Sequence, residues 1–139
     1  MSALFNQTIT AALTAFTAPA LVVRDPSPGS IILQGTFTYG SGGTTADVWV
    51  QTSIDDGATW TDVANFHFTT ASARFLYNLS AYTSITAEYT PTDGTLAANT
   101  SKDGLVGALW RAKVTTTGVY AGGTILRVDA FCQARLTLR

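Results

Sequence analysis

Charge is what this chain has least of. Only 12% of its 139 residues are Asp, Glu, Lys or Arg, about half the share usual in a soluble domain. Glu88 is the sole glutamate, and the formal net charge is −1. That balance excludes a strongly basic nucleic-acid binder and a highly acidic solvating tail. A polar but weakly charged surface repels its neighbours poorly and suits a protein that stays docked. Cysteine is almost absent as well. Cys132 stands alone, so no intramolecular disulfide can form, and folding in a reducing cytoplasm is expected. A chain of this length needs neither disulfide nor metal to build a core.

Long apolar runs are missing too. No stretch approaches the roughly 20 residues of a membrane helix. Residues 9–23 are fairly apolar, and Ala18-Pro19-Ala20 resembles a cleavage site. However, no Lys or Arg precedes Arg24, and Thr8, Thr10, Thr14 and Thr17 interrupt the run. A signal peptide needs a basic leading region, so this segment is expected to be structure. Residues 1–24 read as a first strand, or as an arm that pairs with a neighbour.

The raw material for catalysis is thin. One histidine and one cysteine cannot build a His/Cys metal cluster. Asp55-Asp56-Gly57 lacks the spaced oxygen ligands of a calcium loop. A glycosidase carboxylate pair would have to come from aspartates, which sit mostly in turns. No G-x-S-x-G elbow and no phosphate-binding loop is present; Gly40-Ser41-Gly42-Gly43 reads as a hairpin linker. His67, between Phe66 and Phe68, reads as a strand histidine whose ring faces away from both. The expectation is a protein that is not an enzyme and takes no cofactor and no metal.

What is present is period-two alternation in Thr-, Val- and aromatic-rich runs, split by Gly, Pro, Asn and Asp. At the C-terminus Leu126, Val128, Ala130, Cys132, Ala134, Leu136 and Leu138 fall on one face, and Arg127, Asp129, Gln133, Arg135, Thr137 and Arg139 on the other, with Ile125 and Phe131 as apolar exceptions. That predicts one long half-buried strand. Similar runs lie at 108–115, 31–39, 46–54, 59–69 and 73–79, with weaker ones at 4–16, 20–24 and 84–90. Turns are expected at 25–29, 40–43, 55–57 and 122–123, and a longer loop from Pro91 to about Gly104. No helix is predicted. The fold class expected is all-β, an antiparallel β-sandwich or jelly roll of about 8 strands, as a single domain over residues 1–139.

One local motif is specific. Ser53-Ile54-Asp55-Asp56-Gly57-Ala58-Thr59-Trp60 matches S-x-D-x-G-x-T-W, the Asp-box hairpin. Asp55 is expected to accept N–H bonds across the turn, Gly57 to supply a positive φ, and Trp60 to pack beneath. In sialidases and other propellers the motif repeats and lies away from the catalytic centre. Here Ser53, Asp55, Gly57, Thr59 and Trp60 occur once and read as a hairpin staple.

Charge is also unevenly spread. Residues 1–104 hold 3 basic and 8 acidic side chains, whereas residues 105–139 hold 5 basic and 1 acidic. Arg111, Lys113, Arg127, Arg135 and Arg139 either pair with acidic neighbours across strands or share an outward stripe that docks an acidic partner. There is no dense Lys/Arg cluster with stacking aromatics, which argues against nucleic acid as a partner. Trp49, Tyr77, Tyr82, Tyr89 and Tyr120 are candidates for a sugar-binding platform.

The segment Phe37–Gly43, followed by Val48-Trp49-Val50-Gln51-Thr52-Ser53 and on through Ala64 to Phe68, resembles small β-rich structural proteins of tailed bacteriophages and prophages. The likeness extends weakly to the C-terminal strand and covers about two-thirds of the chain; the first 25 residues fall outside it. The resemblance implies a virion protein assembled in the host bacterial cytoplasm. A capsid decoration protein that clamps the shell is the leading expectation, with a head–tail connector or tail component as the nearest variant. The partners implied are the major capsid protein or other virion proteins and further copies in an oligomer or symmetric array, with no membrane. A carbohydrate-binding module exposed on the virion is the rival reading.

Overall fold

The structure is a computed structural model that describes residues 2–22 and 29–133. Among these residues there is no helix; eleven strands form three antiparallel sheets. They are β1 (Ser2–Thr8), β2 (Phe16–Thr17), β3 (Leu21–Val22), β4 (Ser30–Thr38), β5 (Ser41–Gly42), β6 (Thr45–Ser53), β7 (Thr61–Phe68), β8 (Ala73–Ser80), β9 (Leu109–Thr117), β10 (Tyr120–Ala121) and β11 (Ile125–Gln133). Sheet A has the order β1-β11-β4-β8. Sheet B has the order β2-β9-β6-β7, with β3 also paired to β9. The ribbon β5–β10 closes one end, where the chain crosses between sheets. The all-β sandwich expected from the alternation is the fold observed.

The alternation works because each strand presents every second residue to one interior. In β4, Ile31, Leu33, Gly35 and Phe37 point inward and are buried. Val48 and Val50 of β6, Trp110, Ala112 and Val114 of β9, and Leu126 and Val128 of β11 do the same. Aromatic rings join the layers: Phe37 of sheet A stacks on Phe68 of sheet B at 5.0 Å, and Phe66 meets Tyr77 at 5.0 Å. Each large apolar side chain buried in this way contributes about 1.5–3 kcal/mol. Gly35 has no side chain because the Phe66 ring occupies the place; a Cβ there would lie 2.8 Å from it.

Two bulges break the regular pairing. Between Val50 and Gln51 the β6–β7 register shifts, so both Asp62 and Val63 become buried. A second bulge, between Ala3 and Phe5, buries both Leu4 and Phe5. Such an extra residue bends the strand and re-aims its side chains.

The weaker expectations need correction. Residues 84–90 form no strand and are largely exposed. The run 4–16 is a strand only to Thr8, after which the chain leaves sheet A for β2 in sheet B. The run 20–24 is described as a strand only at Leu21–Val22. Within the N-terminal segment, β1 pairs with β11 of the same chain. Of the long C-terminal strand, residues 134–139 lie outside the described residues.

Candidate functional site

The β6–β7 hairpin turns on the Asp-box residues. Asp55 sits where both carboxylate oxygens reach Thr59, accepting from its N–H at 2.9 Å and its hydroxyl at 2.6 Å. The Ser53 hydroxyl donates to Asp55 at 2.8 Å and accepts from the Gly57 N–H at 2.9 Å. Gly57 has φ 86°, a conformation that glycine adopts without strain. The Thr59 bonds, then the Ser53 hydroxyl, hold the Asp55 carboxyl well below its ordinary value, at about 2. The Trp60 ring lies against Gly57 and carries the Arg111 guanidinium 4.2 Å above it. The Ser53, Asp55 and Thr59 side chains are all bonded within the turn.

The residue that organises the outer face of sheet B is Asp62, which the sequence motifs do not single out. Its carboxylate is fully buried. It accepts from Gln51 Nε2, from the Thr92 hydroxyl, and from the N–H groups of Gly94, Thr95 and Leu96, all within 3.2 Å. The loop after β8 is thereby pinned over the sheet. Trp49 Nε1 donates to Leu96 O at 2.9 Å, and Asn65 and Asn99 exchange side chain-to-backbone bonds with the opposing strand and loop. The same loop satisfies the edge of β7: Asp62 N–H donates to Thr92 O, Asn65 N–H to Thr100 O, and Lys102 N–H to Val63 O, each at 2.8 Å. An aspartate inside a strand run is the one sequence signal that pointed here, since aspartate is depleted in strands.

The proposed basic stripe does not form among the described residues. Arg111 and Lys113 lie on the outer face of β9, in sheet B, and Arg127 lies on the outer face of β11, in sheet A. Lys113 bonds Asp93 at 2.6 Å, Arg111 stands 3.8 Å from the same carboxylate, and Arg127 bonds Asp129 at 2.8 Å. Burial would raise the Asp93 carboxyl, but bonds from Lys113 and Gln51 and the two cationic charges hold it below its ordinary value. The alternation gives each arginine a face but not a sheet, and here the sheets separate them. Arg135 and Arg139 lie outside the described residues.

The aromatic candidates are dispersed. Tyr120 is buried and donates to Thr69 O; Tyr77 donates to Asn65 O; Tyr89 donates to Asp62 O and has Lys102 over its ring. Only Tyr82 is widely exposed, at 78%. These five rings therefore make no shared platform. His67 faces outward beside Asp47, with Nδ1 2.8 Å from the carboxylate. Burial raises the Cys132 thiol above its ordinary value. Among the described residues no three His, Cys, Asp or Glu side chains cluster as metal ligands.

Two surface recesses lie among the described residues. An open one of about 510 Å³ lies along 85–90 beside Lys102 and Asp103. A smaller one of about 180 Å³ lies on the outer face of sheet A, lined by Ile32, Gln34, Leu76, Asp129 and Phe131. Leu76 and Phe131 are 53% and 47% exposed there, an apolar patch that the other described residues leave open. No protein-family model, curated protein or solved structure matches this chain.

Proposed function

We propose that this chain is a non-enzymatic structural protein of a tailed-bacteriophage virion, docked on the capsid shell as a decoration protein. The observation that carries the reading is the apolar patch on the outer face of sheet A. Ile32, Leu76 and Phe131 stand together there on a rigid, weakly charged sandwich. Exposed apolar patches of this kind mark protein contact surfaces. The resemblance of residues 37–68 to small phage structural proteins supplies the partner, a subunit of the shell. Many copies on a symmetric shell add weak single contacts into a firm hold. Polar groups of the kind that chemistry uses are engaged in structure: the Asp-box in its turn, Asp62 in its loop, and Arg111 and Lys113 with Asp93.

The test is co-sedimentation with purified shells that lack this protein. The wild-type chain is expected to pellet with shells and to raise their melting temperature. Phe131→Glu, which puts a charge in the centre of the patch, is expected to weaken binding at least tenfold while leaving the fold intact by circular dichroism. Equal binding by both proteins would sink the docking face. A positive glycan array would instead favour a sugar-binding role.

A further inference from the structure

The two sheets end differently. Sheet B is closed at both sides. The loop at 92–102 satisfies the backbone of β7, and the opposite edge consists of two-residue strands separated by Pro19. Short strands, proline and covering loops are how native proteins blunt an edge. Among the described residues, sheet A has no such device at its two outer strands. In β8, Ser80 N–H donates to the Asp103 carboxylate, away from β4. Alternation then points the N–H and C=O groups of Asn78, Leu76 and Arg74 outward. In β1, Ile9 N–H donates to Thr124 O on the β11 side, which by the same rule turns Asn6 and Thr8 outward. None of these backbone groups has a partner among the described residues. β1 contains no charged residue and no proline, and β8 contains only Arg74.

We infer that copies of this chain join head to tail through sheet A, β1 of one copy adding beside β8 of the next. Three features favour a second copy over another occupant. The open strands match in length, at 7 and 8 residues. They run in opposite directions, because sheet A has four strands in strict antiparallel order. A copy added without inversion therefore continues the antiparallel pattern. Each side wall also exposes one aromatic ring, Phe75 at 40% beside β8 and Phe16 at 37% below β1. A two-fold joint through one edge would leave the other open, whereas the head-to-tail joint satisfies both. A wall about 24 Å long and about 20 Å thick buries roughly 1,000 Å² per joint, the lower bound for a specific interface. Such a joint is heterologous, closing into a ring or propagating as an array.

The inference rests on the virion reading for its purpose, but its test is separate. Mass photometry and sedimentation of the wild-type chain are expected to show oligomers. Asn6→Pro removes an outward N–H from β1, and Leu76→Pro removes one from β8; each variant alone is expected to be monomeric. Mixed in equal amounts they are expected to form a heterodimer, because each retains the edge the other lost. Should either proline variant fail to fold by circular dichroism, Asn6→Lys or Leu76→Lys blocks the same edge with a charge. A monomeric wild type, an oligomer that survives both edge variants, or a mixture that stays monomeric would each overturn the joint. A monomer that still pellets with shells refutes the joint alone, and an oligomer that does not pellet refutes the shell reading alone.

Discussion

Both oxygens of Asp62 only accept, and all five of their neighbours donate. An amide in its place would turn an NH₂ group toward N–H donors. Asp62→Asn is therefore expected to destabilise nearly as much as Asp62→Ala, each by about 3 kcal/mol in urea denaturation. Amide exchange at Gly94, Thr95 and Leu96 should accelerate in both, which separates a local loosening from global loss. Asp55 makes a different prediction. Its carboxyl is depressed from 3.8 to about 2 by Thr59 and Ser53, so its charged form is favoured by folding. That contribution is complete above the ordinary value and is lost as pH falls through about 2. The melting-temperature gap between wild type and Asp55→Asn is expected to be widest near neutrality and to shrink toward pH 2. A gap independent of pH would mean the carboxylate charge plays no part in the turn.

Among the elements, β4 and β9 were readable because each buries one face and alternates throughout, and β6 and β11 because they alternate over much of their length. The flanking elements were not. Residues 84–90 have the Thr and Tyr content of a strand, but the β7 edge they would need is taken by 92–102. The run 4–16 reads as continuous, yet the chain changes sheets within it, and a change of sheet leaves no mark on a period of two. The Asp62 cluster was equally hidden, since it depends on a bulge and on partners about 30 residues away. The Asp-box hairpin was legible because all of its bonds are local. Packing between elements gives a direct test at Gly35. Gly35→Ala places a methyl 2.8 Å from the Phe66 ring and is expected to cost about 1–3 kcal/mol. Adding Phe66→Leu should recover part of that loss in a double-mutant cycle.

At the scale of the molecule, sheet A is held together by strands from opposite ends of the fold. Six pairs join Ser2–Thr8 to Ile125–Ala130, enclosing nearly everything between. Non-local pairing of this kind folds slowly, in milliseconds to seconds. Deleting residues 2–9 is expected to uncover the β11 edge and the pocket of Leu4, Phe5 and Ile9, which are 3%, 2% and 2% exposed. The truncated chain should aggregate on refolding, as followed by light scattering, where the intact chain stays clear. The same closure bears on biosynthesis. On the ribosome β1 emerges well before β11 and must wait, unpaired and uncharged, until β11 has left the exit tunnel. Throughout translation the nascent chain carries a sticky strand with no mate, so a holding chaperone at the tunnel mouth gains a reason to be there.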